Sequence, residues 1–348
     1  MLGLNISGVA LADTPKDRVK AAFVYVGPVG DHGWSYRHDV ARKELEDTFG
    51  DRLTTTFLEN VGEGADAERV FTSLALQGND IIFGTSFGYM DAMATVAAKF
   101  PNVKFEHATG YKQGPNFANY GLKLYQARHI QGIVAGMMTK TNKICYVASF
   151  PIPEVAREIN TFYLGAKKMN PDVKLQIVWV YTWYDPSIEA DAAKAMIDQG
   201  CDVLAQHTDS PAPLQTAETM GVHGFGQASD QSAFAPRAQY TGTIDNWGPY
   251  YTTRIQQVLD GTWTTGDYFG DISEGAVGMA PFANLPDDVI ATATSIRDQI
   301  SAGTYFAFTG PLNKQDGTVF LAKGEVATRL QLDTMDFYVE GVEGKFPN

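Results

Sequence analysis

The 348-residue chain lacks any run of about 18 or more apolar residues, so no membrane-spanning helix is expected. It is also short of positive charge. Lys and Arg number 27 against 40 Asp and Glu, a net charge of −13, which argues against a nucleic-acid surface, where basic patches must displace condensed counterions. Cysteine is scarce: Cys145 (KICYVASF) and Cys201 (GCDVLAQH) are the only two, both in strand-like segments, and both are expected to be buried small hydrophobes without a disulfide. No cysteine lies near the N terminus to carry a bacterial lipid anchor. The six histidines form no H-E-x-x-H or H-x-E arrangement and no G-x-S-x-G elbow occurs, so neither a metal site nor a hydrolytic serine is expected.

What is present is a globular composition, 44% hydrophobic and 19% charged, without low-complexity tracts or charge blocks. The length allows two substantial cores. Apolar runs alternate with helical patterns: AAFVYVG then HDVARKELEDTF, LTTTFLE then DAERVFTSLALQG, DIIFGTS then YMDAMATVAAKF, and VKFEHATG. After YGLKLYQARHIQGIVAGMMTKT the rhythm restarts with KICYVAS, LQIVWVYT, DVLAQHT and VHGFGQAS, each strand followed by a helical pattern or a polar loop. Such alternation predicts an α/β protein of two doubly wound parallel-sheet lobes. Gly78 and Gly200 read as glycines closing helices, and Asp185-Pro186 as an N-cap followed by a first-turn proline.

Past Asp245 a helix (WGPYYTTRIQQVLDG), a Gly- and aromatic-rich segment and a helix near Asp287 to Ile300 fit a chain that crosses back to the first lobe and returns. The expected division is 21–121 plus 248–275 for lobe 1 and 122–247 plus 276–348 for lobe 2, joined by several hinge crossovers. The C-terminal stretch reads as a hairpin plus irregular closure. Residues 1–20 read as the remnant of a signal peptide and leader, with Val9-Ala10-Leu11-Ala12 before Asp13 resembling an A-x-A cleavage pattern, and export is the expectation, with a frayed cytosolic N terminus as its alternative.

In open parallel sheets ligands bind beyond the carboxyl ends of the strands. The candidates in the first lobe are Asp31, Trp34, Ser35 and Tyr36, then Asn60 and Glu63, Phe87, and Tyr111. The second lobe offers Phe150, Glu154, Trp183, Asp209 and Asp230 at corresponding positions, with Trp247 after the last strand. Trp34 and Trp183 stand out because each lies in a polar loop, flanked by Gly or by Asp and Pro, off the periodicity of a core face. Indole faces suit a flat ring, each stack being worth roughly 1–3 kcal/mol, and the carboxylates of Asp31 and Asp230 suit ring N–H donors. Sugars also stack on Trp, so aromatic walls alone leave them open. Gly27, Gly30 and Gly33 space as G-x-x-G-x-x-G, and Asp31 and Trp34 crowd the turn where a pyrophosphate needs bare N–H groups; no dinucleotide or other cofactor is expected. His207 is the best acid–base candidate, with a structural histidine beside the hinge as its alternative.

Together, GDHGWSYRH, IIFGTSFGYMDAMATVAAKFPNVKFEHATG, YQARHIQGIVAGMMTKTNKICYVASF, YDPSIEADAAKAMIDQGCDVLAQHTDSPAPLQTAE and GFGQASDQ resemble, in order and spacing, the basic membrane protein family. This is the purine-receptor branch of type I periplasmic binding proteins of ABC importers. The resemblance implies stacking by Trp34 and Trp183, an Asp31 partner for the first ring, and an acidic contact at Asp230. Where nucleoside-binding relatives place a lysine in a T-S-x-x-K-like segment, this chain reads QYTGTIDNW, and the loss of that cation beside an added ring favours a free base, adenine or hypoxanthine. The expected protein is a periplasmic, monomeric, non-enzymatic solute receptor serving an ABC permease. Its rivals are a purine nucleoside receptor, a sugar or autoinducer receptor of the same fold, and a nucleoside hydrolase or dehydrogenase on a similar frame.

Overall fold

The computed structural model of the chain describes residues 14–347; the cleavage-like pattern at Val9 to Ala12 lies outside them. The first repeat builds β1 (Val19–Val24), α1 (Trp34–Phe49), β2 (Leu53–Leu58), α2 (Ala65–Leu76), β3 (Ile81–Gly84), α3 (Met90–Lys99), β4 (Lys104–Ala108) and β5 (Phe117–Leu122). After α4 (Tyr125–Met138) the second builds β6 (Lys143–Ala148), α5 (Pro153–Met169), β7 (Lys174–Trp179), α6 (Pro186–Asp198), β8 (Val203–Gln206), α7 (Ala212–Met220), β9 (His223–Gly226) and β10 (Gln239–Asp245). Then come α8 (Gly248–Leu259), β11 (Asp267–Gly270), β12 (Val277–Met279), α9 (Asp287–Ser301), β13 (Leu312–Asn313), β14 (Val319–Leu321) and α10 (Arg329–Asp333).

Two six-stranded sheets result, ordered β11-β5-β4-β3-β1-β2 and β12-β10-β9-β8-β6-β7. All pairings within them are parallel except β10 with β12. The chain passes between the sheets after β5, after β10 and after β11. Helices cover both faces, as near-continuous apolar strands require. Phe23, Phe83 and Ile255 pack on one face of the first sheet, and Phe71, Met93 and Phe105 on the other. In the second half Ile159, Phe162 and Phe225 form the larger core, and Met196, Leu204 and Ala217 the smaller. Helices α4 and α5 touch backbone to backbone: a Cβ on Gly132 would sit 2.0 Å from the Phe162 carbonyl oxygen. That approach carries Arg128 of α4 against Glu158 of α5.

The two cysteines are buried as expected, but the expectation that they stay unpaired is corrected. Cys145 and Cys201 form a disulfide, Cα to Cα 6.0 Å, within the usual range. The strand order is the reason: β8 pairs with β6 rather than with its sequence neighbour β7, with Val203 level with Ile144, which brings the segment leading into β8 beside the start of β6. The cap readings hold, with the Asp185 carboxylate accepting from the Ser187 and Ile188 N–H groups and Pro186 opening α6.

The C-terminal stretch contains the expected hairpin, β13 against β14, and then α10, whose Thr328 and Gln331 form a capping box. It packs on both halves. The Asn160 amide of α5 donates to the Phe337 carbonyl (2.8 Å) and accepts from the Val339 N–H (2.9 Å), while Arg329 pairs with Asp267 of β11 (3.2 Å) and lies over the Phe269 ring.

Candidate functional site

The carboxyl ends of the two sheets face each other across a narrow slot whose cavity volume is only about 20 Å³, room for a water molecule, so the halves must part to admit a larger guest. One wall is Val26 after β1, Trp34 at the start of α1, Thr85, Ser86 and Phe87 after β3, and Thr109 after β4. The other is Ile152 and Glu154 after β6, Trp183 after β7, His207 and Asp209 after β8, and Gln227 after β9.

Trp34 is locked in place. Its indole N–H donates to the Thr85 carbonyl (2.6 Å), and its ring stands edge-on to His38 and Trp247 at 4.6 and 5.3 Å between centroids. Trp183 is partly exposed, leaning on Phe150 at 5.0 Å, and its carbonyl accepts the Asp209 N–H (3.0 Å). The Asp209 loop is braced from α6, where Glu189 accepts from the Ser210 hydroxyl (2.6 Å) and N–H (3.2 Å).

The first-turn N–H groups of α1 need acceptors, and the helix end attracts negative charge. Asp31 accepts from Gly33 (2.8 Å), Ser35 (3.0 Å) and Tyr36 (3.0 Å), and Asp209 accepts from Trp34 (3.2 Å). Two carboxylates from opposite halves therefore cap one helix. A Cβ on Gly33 would meet the Asp209 carbonyl oxygen at 2.6 Å. The Ser229 hydroxyl donates to the His32 carbonyl, and Arg37 donates to the Asp245 carbonyl (2.8 Å), so the halves are closed on one another. His32, Asn60, Thr109, Tyr181 and Ala228, in the loops around the cleft, hold φ between 52 and 63°, a left-handed region costly for side-chain-bearing residues and found at binding sites.

Burial pushes the Asp31 carboxyl up to about 6 despite its three N–H partners. Burial, then the Asp31 charge, push Asp209 well above the usual carboxylate range, with Glu189 and Asp245 adding to the rise. Asp209 Oδ2 and Gln227 Nε2 are buried without a hydrogen-bond partner, and both residues line the slot. Gln227 presents its NH₂ because its oxygen accepts from Arg128. In the second wall of the slot, His207 lies 3.2 Å from Glu158 and 3.8 Å from Glu154, so that the three share one buried cluster. Burial alone would raise Glu158, but His207 and Arg128 pull it to about 2; Glu154 is raised by burial, with Arg157 opposing. Arg128 pairs with Glu158 (2.8 Å) and Arg157 with Glu154 (3.2 Å), so guanidinium groups already supply the charge a metal ion would bring.

Of the sequence candidates, Trp34, Phe87, Glu154, Trp183 and Asp209 share the slot, and Asn60 and Phe150 stand with Trp183 and Tyr184 at its outer mouth. The acceptor roles expected of Asp31 and Asp230 are corrected: Asp31 caps α1, and Asp230 accepts from Gln239 (2.8 Å) and the Ser232 N–H (3.0 Å) at the surface. Ser35 lies behind the wall, accepting the Gly27 N–H, and Tyr36 packs on His32. Glu63 buttresses Ser86 through a 2.5 Å hydrogen bond, while Tyr111 is half exposed beside Phe87. Trp247 is fully buried beneath Trp34, stacked on His38, and does not line the slot. Thr85, Thr109 and Gln227 were not among the candidates. Gln227 directly follows β9, so the carboxyl-end rule alone could have found it.

The ABC transporter substrate-binding protein PnrA-like (Bmp) family model matches residues 18–304. A purine-binding protein of Brucella abortus is 50% identical over 345 residues, covering 99% of this chain and 98% of the relative. A protein of Haloferax volcanii, provisionally named an ABC transporter glucose-binding protein, is 37% identical over 333 residues, covering 95% and 82%. In fold, the chain matches an ABC transporter solute-binding protein of Aeropyrum pernix, with TM-score 0.70, 18% identity, and 82% and 92% of the chains covered. No helix among the described residues is long and apolar enough to cross a membrane.

Proposed function

We propose that this chain, which belongs to the PnrA-like Bmp family of ABC transporter substrate-binding proteins, is a periplasmic receptor that captures a purine between its lobes, in the form of the free base. One observation carries the reading. The slot is walled by an indole from each half, and it holds two buried polar atoms, Asp209 Oδ2 and Gln227 Nε2, without partners. Flat faces with unsatisfied hydrogen-bonding groups at the edge suit a nitrogenous ring, and a buried polar group left unpaired by the wrong ligand penalises it strongly.

The name of the Brucella abortus relative supports the purine class. The base rather than the nucleoside is supported by the end of β10. In place of the lysine of the nucleoside-binding pattern stands Asp245, fully buried and raised well above the usual carboxylate range by burial, with the Glu158 charge adding. The lobes are taken as 21–121 plus 248–275 and 122–247 plus 276–348, swinging about the three crossings, with a permease reading the closed form. The protein acts as a monomer and a binder, without catalysis.

Calorimetry with adenine, hypoxanthine, adenosine and glucose tests this. The bases should bind at least about tenfold more tightly than adenosine, a difference of about 1.4 kcal/mol, and glucose should give no heat of binding. Tighter binding of adenosine replaces the base with the nucleoside. Tighter binding of glucose, favoured by the name of the Haloferax volcanii relative, overturns the purine reading.

A further inference from the structure

Asp209 is positioned between two demands. Its Oδ1 accepts the Trp34 N–H from the opposite lobe, and its Oδ2 lies buried without a partner in a residue that lines the slot. The charges around it are of its own sign: Asp31 from the loop before α1, Glu189 from α6 and Asp245 at the end of β10. The nearby cations are engaged elsewhere. Arg128 holds Glu158 and Gln227, Arg157 holds Glu154, Arg37 donates to the Asp245 carbonyl, and His207 sits between Glu154 and Glu158. A buried carboxylate with like charges around it and no cation takes up a proton.

We propose that Asp209 is a carboxylic acid in the closed receptor: Oδ1 keeps the Trp34 N–H, and protonated Oδ2 donates to an acceptor atom on the edge of the bound ring. In the open receptor the same group faces water and is ionised, so closure on the ligand draws one proton from bulk solvent. With the Gln227 NH₂ the slot then presents two donors, which suit a ring edge carrying acceptors, such as the oxo and aza atoms of an oxopurine. Asp209 thereby ties ring recognition to lobe closure, because one side chain bonds the guest and the opposite helix. This inference rests on the purine reading above.

The test is calorimetry of hypoxanthine and adenine at pH 7.5 in buffers of different ionisation enthalpy, using the wild type and Asp209→Asn. Asparagine reproduces the protonated acid, with an oxygen for the Trp34 N–H and an NH₂ for the ring. Wild type should take up more than about half a proton per purine bound, and Asp209→Asn should take up less than that while binding within about tenfold of wild type. Wild-type uptake below about half a proton, uptake retained in the variant, or an affinity loss beyond tenfold each overturns the proposal. A wild type that binds neither base overturns the purine reading and this inference together; binding without proton uptake overturns this inference alone.

Discussion

The main-chain N–H of Trp34 and the carboxylate of Asp209, 3.2 Å apart, join the two lobes at residues that both line the slot. Trp34 offers its ring to the slot from the side chain and its helix N-terminus from the backbone, so the residue that lines one wall also receives the opposite half. Closure is selected by a ligand only to the extent that the ligand binds the closed form better, and in the proposed receptor a ring held by both residues at once would do so.

Gly33→Ala should block closure. Its Cβ would fall 2.6 Å from the Asp209 carbonyl oxygen of the opposite half. The expected result is a loss of purine affinity of about tenfold or more with an unchanged urea midpoint for the ligand-free protein. Unaltered affinity would show that the lobes tolerate the methyl group and that this contact does not set the closed state.

The two indoles should separate in their stability costs. Trp183 is partly exposed, so Trp183→Ala should weaken binding about tenfold, the loss of one stacked face, with little change in Tm. Trp34 belongs to the first core cluster and is only 9% exposed, so Trp34→Ala should cost about 3–5 kcal/mol of stability as well as affinity. Binding titrations paired with denaturant unfolding check both. Equal stability losses would contradict the difference in burial.

The disulfide links residues 56 apart in sequence. Reduction should lower unfolding free energy by about 2–4 kcal/mol through the freed unfolded chain, read as a lower urea midpoint in dithiothreitol. Thiol counting on the unreduced protein in denaturant should find no free thiol among the cysteines, and two reactive thiols would show that the bond is not formed.

Asp31 gives a pH signature. Its carboxyl rises from about 4 unfolded to about 6 folded, through burial. A raised acid contributes stability that is fully present below about pH 4 and lost as pH rises through about 6, on the order of 3 kcal/mol. Tm should therefore fall between pH 4 and 7, and Asp31→Asn should flatten that slope while losing part of its helix cap. Glu158, held near 2 by His207 and Arg128 against its burial, acts only below about pH 4.5 and leaves this window clear. An identical slope in Asp31→Asn would assign the window to another group.

The strand and helix rhythm was legible because parallel strands buried on both faces read as apolar runs, and the carboxyl-end rule placed Trp34, Phe87, Glu154, Trp183 and Asp209 on one slot. What stayed hidden depends on strand order or on side-chain direction. The Cys145–Cys201 bond requires β8 to skip β7, which no sequence spacing reports. Asp31 was read as a ring acceptor, yet an acid just ahead of a helix start turns first toward that helix's bare N–H groups. Trp247 follows a strand end as the other candidates do, but α8 begins right after it and carries the ring inward beneath Trp34.

The segment after α9 fastens to α5 through Asn160 and to the edge strand β11 through Arg329. It ties one half to the other through these contacts and lies almost wholly outside the span of the matched family model. If the halves part to admit a ligand as proposed, these ties would have to give along with the three crossings, and the segment would act as a return spring.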